Sequence, residues 1–425
     1  MLVNFKFKNY RSFKDETTLS LLATKDDSFE LFNTFEVDEN ILPKKNKLIK
    51  SVVLYGPNAS GKSTILKALK YMKDLIKFSN IQGEKIAINN QPFSFLSNNN
   101  ETTLFEVEFI KNNIFYNYNF EILNGKIVSE NLYKRVERLT KIFSRNDNEI
   151  DIIQTDNALM KFIKVSNGAL FLSQIMAYGF NKNILDDVVN VLSWFDDLII
   201  VFEEDINMLK IYEDPKYIDE ALNILRLADI GISNFKVYKE ELTPIIMGNE
   251  KKIQLPNYPT QIVREKDDVA KLDIETVFEV YDSNGDVIET KNVYLLKDIG
   301  FHSEGTKKLL FYLGWILKSL NEGKVILLDE LDTKIHFIVA DYILKSFNSV
   351  HKNLYNAQII ATAHNLMLMD GDTRRDQIYF TSKDMYGVST LKSLADFKGV
   401  LKKDLFSKKY LLGFYTELPN MNGDF

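Results

Sequence analysis

Between the apolar run Ser51-Val52-Val53-Leu54-Tyr55 and a helical pattern lies Gly56-Pro57-Asn58-Ala59-Ser60-Gly61-Lys62-Ser63, which fits G-x-x-x-x-G-K-[ST]. Its flanks fit as well. The apolar run reads as a buried strand, and Ile65, Leu66, Leu69, Met72 and Ile76 recur at three- and four-residue spacing, one apolar face of a helix. Strand, loop and helix in that order call for an α/β sheet with the loop at a strand end. The residue types have a chemical reason: glycines let backbone N–H groups close around phosphate oxygens, and the helix N-terminus adds partial positive charge. Lys62 can reach the outer phosphates and Ser63 can offer its hydroxyl to Mg²⁺. The binding set read from the loop is Gly56, Pro57, Asn58, Ala59, Ser60, Gly61, Lys62, Ser63 and Thr64.

At 425 residues the chain is long for one core, so two or three domains are expected. A hydrophobic content of 45% with 26% charged residues is that of an ordinary globular protein. No apolar run nears the ~20 residues that span a bilayer, and Met1-Leu2-Val3-Asn4-Phe5-Lys6 lacks the core of a signal peptide. A cytoplasmic protein with no membrane partner is expected. The absence of cysteine excludes disulfides, thiol catalysis and Cys-ligated metal sites. A net charge of −6 argues against non-specific coating of nucleic acid, while a local basic face stays open.

From the start, Leu2 to Lys8 alternates with period two, a half-buried strand, followed by the turn Asn9-Tyr10-Arg11-Ser12-Phe13 and a second strand over Thr17 to Leu22. Arg11 or Tyr10 reads either as an approach to the nucleotide or as a surface turn. The basic run Lys44 to Lys50 reads as a solvated lead-in to the strand at Ser51. After the loop helix, Leu104–Ile110, Ile114–Ile122 and Lys126–Val128 form a β-meander, with Asn124-Gly125 as a hairpin signal. Its alternating Tyr and Phe residues are cross-strand packing before they are base-stacking groups.

From about Asn157 to Leu242 the texture turns helical: Ile184-Leu185, Val188-Val189, Val191-Leu192 and Trp194-Phe195 suggest one helix, and Ile218, Ala221, Leu222 and Leu225 a second. Glu203-Glu204-Asp205 reads as an acidic turn. A polar stretch, Asn249 to Asp268, leads to a strand around Leu272 to Val280. Asp282-Ser283-Asn284-Gly285-Asp286 is a turn in place of a calcium loop, because the distal Glu is missing.

The second constellation lies near the C-terminus. Val325-Ile326-Leu327-Leu328 is an apolar strand that delivers Asp329 and Glu330 at its end, where ligands bind in parallel α/β sheets. With a phosphate-binding loop in the same chain, Asp329 would hold the Mg²⁺ shell and Glu330 would orient and polarise the attacking water.

Upstream, Ser303-Glu304-Gly305-Thr306 opens a helix with Leu309, Leu310, Leu313, Ile316, Leu317 and Leu320 on one face, ended by Gly323. Ser-x-Gly before a helix, then a strand ending in Asp-Glu, resembles the signature and Walker B motifs of ABC-type ATPase heads of the SMC/RecF/OLD group. Gln358-Ile359-Ile360-Ala361-Thr362-Ala363-His364-Asn365 puts His364 where those heads carry a switch histidine. Phe7 to Phe13 is similar to their opening strand and turn. Asp329-Glu330-Leu331-Asp332-Thr333-Lys334-Ile335-His336 and Arg374-Arg375-Asp376-Gln377-Ile378-Tyr379-Phe380 look most like the AbiL/RloA-type ATPases of abortive-infection and phage-defence operons.

The resemblance covers roughly residues 1–120 and 270–415 and implies an ATPase with ATP and Mg²⁺ as ligands. It implies an ABC-ATPase-type head, a mixed or parallel core sheet plus the antiparallel meander, with an inserted helical subdomain. The expected division is 1–130 and 261–425 for the two halves of the head and 131–260 for the helical insert. Two heads would hold ATP between one subunit's loop and Ser303 to Gly305 of the other. Glu330, Lys62 and His364 are then catalytic, and Ser63 and Asp329 bind the metal. Ser303-Glu304-Gly305-Thr306 departs from the usual Leu-Ser-Gly-Gly-Gln, and Gln91 is a candidate for the Q-loop residue. Nothing in the chain looks like a nuclease site, so the family implies a separate effector, an RloB/Toprim-like nuclease. Two other readings stay open: a RecF-like repair factor with DNA or RNA as partner, and an ATP-bound scaffold without turnover.

Overall fold

The computed structural model describes residues 1–43, 46–95, 101–153, 164–178, 180–202, 206–228, 230–241, 245–247, 250–252, 262–265, 268–401 and 404–415. The chain forms two compact units: Met1–Ile200 with Gly323–Leu331 and Leu344–Phe425, and Val201–Glu322 with Asp332–Ile343.

Among the described residues the first unit contains two large sheets, besides the two-stranded pair Thr34–Glu36 with Lys47–Ile49. One is parallel at its centre, in the order Val325–Leu328, Gln358–Thr362, Ser51–Tyr55 and Ile378–Lys383, with Ser389–Ser393 antiparallel beyond. Ser51–Tyr55 is buried at every residue, as expected of a central parallel strand covered on both faces. The helix Lys62–Ile88 follows it, and Ile65, Leu66, Leu69, Met72 and Ile76 are buried as their spacing predicted. The other sheet is antiparallel and has seven strands, including the expected meander Thr103–Lys111, Ile114–Leu123 and Lys126–Arg135. Asn124 and Gly125 take φ of 50° and 76°, the left-handed pair of a tight hairpin. Its aromatics pack across strands and against a helix: Phe105 meets Phe120 at 5.5 Å, and Phe109 stacks on Trp194 at 4.2 Å.

Buried amides and charged side chains join sequence-distant pieces of this unit. Gln358 accepts from the Leu2 N–H and donates to the carbonyls of Leu2 and Ile49. Arg374 pairs with Asp376 at 2.7 Å, and Asp376 also accepts from the backbone and hydroxyl of Thr24. Arg374, Asp376 and Gln377, read above as part of a family motif, therefore anchor the N-terminal segment.

In the second unit Asp268–Tyr281 pairs with Ile232–Glu241, Ile262–Glu265 and Val287–Tyr294. Beside this sheet are the helices Pro215–Leu227 and Glu304–Glu322, joined by hydrogen bonds from Tyr217 to Glu322 and from Asn321 to Glu220. Asp282 Oδ1 accepts from the N–H groups of Asn284 and Asp286, and Gly285 has φ of 88°, so this stretch is the expected turn.

Several expectations differ from the structure. Residue 130 falls inside the strand Lys126–Arg135, and Leu139–Asn146 and Glu149–Ile152 continue the antiparallel sheet where a helical insert was expected. The reversal between the last two uses Asp147 at φ of 49°, a turn without glycine. Lys182–Asp197 and Pro215–Leu227 are helical as read, but Ile232–Glu241 is a strand. Lys50 is buried and donates to the Phe32 carbonyl at 2.8 Å, so the basic run is not solvated throughout. Lys44, Lys45, Glu203, Glu204, Asp205 and much of the polar stretch before Asp268 lie outside the described residues.

Candidate nucleotide site

Three parallel strands end together. Ser51–Tyr55 delivers Gly56, Val325–Leu328 delivers Asp329 and Glu330, and Gln358–Thr362 delivers Ala363 and His364. The loop can turn here only with its glycines. Gly56 has φ of 152°, and a Cβ on it would lie 2.4 Å from Thr381 O; Gly61 has φ of 115°, and its Cβ would lie 2.8 Å from the Phe13 ring. Ala59 also takes a left-handed φ of 61°. Ser60 Oγ lies 2.5 Å from Thr381 Oγ1, tying the loop to the next strand. Lys62 is buried, and its ammonium donates to the carbonyls of Gly56 at 2.8 Å and Pro57 at 3.1 Å. Asn58 is exposed at the rim, and Thr64 N–H bonds back to Gly61 O in the first turn of the helix.

Ser63 Oγ donates to Asp329 Oδ1 at 2.9 Å, so residues 266 positions apart share one point. The same oxygen accepts from Thr362 Oγ1 at 2.6 Å, and Thr362 Oγ1 in turn accepts from the Glu330 N–H at 2.7 Å. Glu330 is exposed and has φ of 52°, an uncommon conformation for a non-glycine residue, held by that amide bond and by Leu331 N–H to Thr362 O at 2.9 Å. A hydroxyl and a carboxylate converging beside a phosphate-cradling loop are the hard oxygen donors that suit Mg²⁺.

A family described as "AAA domain, putative AbiEii toxin, Type IV TA system" matches residues 51–370, a span that contains the loop, Asp329, Glu330 and His364. The chain belongs to this AAA family. Among solved structures, an SMC head bound to the C-winged helix domain of ScpA aligns over 92% of this chain and 97% of that chain, with 11% identity and a TM-score of 0.43. An SMC head domain from Thermotoga maritima covers 92% and 98% at 15% identity and 0.37. RecF bound to ATP, a recombination mediator of the RecFOR pathway, covers 92% and 97% at 14% identity and 0.35. No curated protein matches the chain.

Within this AAA chain the remaining predicted residues divide. His364 is exposed directly after the strand Gln358–Thr362. Ser303 caps the helix Glu304–Glu322, its hydroxyl accepting from the Thr306 N–H at 3.0 Å. Gly305 lies under a neighbouring backbone, for a Cβ there would be 2.2 Å from Lys334 O. Both positions thus have a local structural role in the second unit, beside the nucleotide role implied by resemblance. The Q-loop candidate Gln91 is exposed, with φ of 49°, and its carbonyl accepts from the Arg11 N–H at 2.7 Å. His302 is buried with its Nε2 3.0 Å from Thr276 Oγ1, and burial holds its pKa below the usual value.

Sequence reasoning missed Thr362 and Thr381. Thr362 ends an apolar strand and Thr381 follows the apolar run Ile378-Tyr379-Phe380 within its strand, and both strands flank the one that carries the loop. That position was the available signal.

Proposed function

We propose that this AAA chain binds Mg²⁺-ATP at residues 56–64 and hydrolyses it. Turnover serves as a switch on self-association that governs a separate effector in an abortive-infection response. The observation that carries the reading is the 2.9 Å hydrogen bond between Ser63 Oγ and Asp329 Oδ1, which brings together the loop and the acidic strand end that would hold the metal.

Mg²⁺, when bound, neutralises charge on the β- and γ-phosphate oxygens. The chain's own groups do the rest. Backbone N–H groups of the loop and the N-terminus of the helix Lys62–Ile88 hold the phosphates, and the Lys62 ammonium pairs with the outer ones. Asp329 and Ser63 present their oxygens to the metal, with Thr362 fixing the carboxylate. Glu330, exposed next to Asp329, positions and polarises the attacking water. His364 contributes from the adjacent strand end as a contact to the terminal phosphate. Ser303 to Gly305 of a second copy, at a helix N-terminus, would close on that phosphate, and its release on hydrolysis would free the two copies.

The family description, a toxin of a type IV system, supports a defence setting. The effector is a separate protein, an RloB/Toprim-like nuclease. A RecF-like DNA-binding role is less favoured by a net charge of −6.

The test is solution mass by light scattering with and without Mg²⁺-ATP, for wild type, Glu330→Gln and Lys62→Ala. A dimer that forms with ATP in Glu330→Gln and never in Lys62→Ala is the expected result. Masses unchanged by nucleotide in all three would overturn the switch.

A further inference from the structure

We infer that the nucleobase is received by an aromatic ledge made of Tyr386 and Phe95, read by stacking alone, so that the site accepts purine nucleotides without choosing strongly between them. The inference rests on residues 56–64 being the phosphate site, and it adds the base-binding half that the motifs leave unassigned.

Sheet order gives the direction. Asp329 and Glu330 lie on one side of Ser51–Tyr55, at the ends of the strand system Gln358–Thr362 and Val325–Leu328, so the reacting terminal phosphate points to that side. The base then leaves toward the other side, where Ile378–Lys383 pairs with Ser51–Tyr55 and turns back into Ser389–Ser393. This hairpin is pressed against the loop: Ser389 Oγ lies 3.0 Å from where a Gly61 Cβ would be, and Thr381 lies against Gly56. Ser389 is buried, and its Oγ has no hydrogen-bond partner among the described residues. The Ser389 N–H donates to Ser12 O at 2.7 Å, which adds the turn before Phe13 to the same wall.

The tip of the hairpin is rigid. Asp384 Oδ1 accepts from the N–H groups of Tyr386 and Val388, both at 2.9 Å, and the Gly387 N–H donates to Asp384 O at 3.1 Å. Gly387, at φ of 80°, packs on the Phe95 ring. Phe95 is set edge-on to the buried Phe93 at 5.6 Å, and the Phe93 N–H is held by Asn9 Oδ1 at 3.1 Å. Tyr386 and Phe95 are nevertheless each 70% exposed. Two exposed rings meet at Gly387, Tyr386 as its chain neighbour and Phe95 by packing on it, and offer π surface on the base side of a phosphate loop. Stacking of this kind tolerates any base, because every base has a π face. Asp384 Oδ1 accepts from two backbone amides, so this carboxylate shapes the turn.

The test compares binding of ATP, GTP and inorganic tripolyphosphate, each with Mg²⁺, to the full-length wild type, Tyr386→Ala, Tyr386→Phe and Phe95→Ala, with melting temperatures as a fold control. Wild type should bind ATP and GTP within about fivefold of each other. Tyr386→Ala and Phe95→Ala should weaken both by roughly tenfold and leave tripolyphosphate unchanged, while Tyr386→Phe keeps wild-type affinity. ATP affinity within twofold of wild type in both alanine variants would overturn the ledge alone. A parallel loss of tripolyphosphate would overturn it too, by showing that the rings support the loop. Failure of wild type to bind either ATP or tripolyphosphate would remove the phosphate site itself, and the ledge with it.

Discussion

Thr362 donates its hydroxyl to Asp329 Oδ1 across 2.6 Å while accepting the amide of Glu330 at 2.7 Å, so one side chain on a neighbouring strand sets the geometry of both acidic residues. Thr362→Val keeps the shape and removes both bonds. The expected stability loss is about 1–3 kcal/mol, with phosphate release falling at least about tenfold and the Mg²⁺ requirement rising. Thr362→Ser should restore most of the rate. Steady-state phosphate assays across a Mg²⁺ titration, with melting curves alongside, check this.

Glu330→Gln leaves the backbone bond from Glu330 to Thr362 in place, so the left-handed conformation survives. Hydrolysis should fall roughly a hundredfold or more, as for loss of a residue acting as general base. ATP affinity should stay within a few-fold of wild type by equilibrium binding. A variant that keeps wild-type turnover would show that another group activates the water.

Gly305→Ala places a methyl group 2.2 Å from Lys334 O, and backbone oxygens do not move aside cheaply. The expected loss is about 1–3 kcal/mol of stability. Ser303→Ala removes a helix cap and should lose about 1 kcal/mol. If Gly305→Ala melts like wild type yet no longer changes mass with ATP, the glycine serves the partner's nucleotide and not the fold.

Asp26 gives a pH prediction. Burial alone would raise its pKa, but hydrogen bonds from Arg375 at 2.7 Å and from Ser28 at 2.9 Å outweigh this and hold it well below the ordinary carboxylate value. A folded-state pKa below the unfolded value of ~3.9 means stability that is fully present at neutral pH and is lost as acid protonates the carboxylate. Denaturant midpoints should therefore fall as pH drops from about 5 toward 2. Asp26→Asn should flatten that slope.

The legible parts of the sequence were those where a local pattern decides the structure. The run from Ser51 to Ile76 specified strand, loop and helix, because buried-strand composition, glycine at two constrained turns and a three-to-four spacing all act over short range. The same holds for Asn124-Gly125 and for Asp329-Glu330 at a strand end. Thr362 was not legible in its role, since its partners are set by strand order, and order is a long-range property. Arg374 and Asp376 were read through family resemblance, whereas their contacts are with Thr24 and Ser28, some 350 residues earlier. The strands Leu139–Asn146 and Glu149–Ile152 were hidden because Asp147 supplies the turn that a glycine usually marks.

The strand that carries the phosphate loop has its two neighbours, Gln358–Thr362 and Ile378–Lys383, about 300 residues further on. At roughly 5–20 residues per second, a ribosome needs about 15–60 s to make them. Over that interval Ser51–Tyr55, apolar along its length, is unpaired, and the oxygen that Asp329 lends to Ser63 does not yet exist. The growing chain therefore lacks the hydrogen bond between Ser63 and Asp329 until its last third is being made. Until its neighbours emerge, that strand is exposed apolar surface of the kind that chaperones shield.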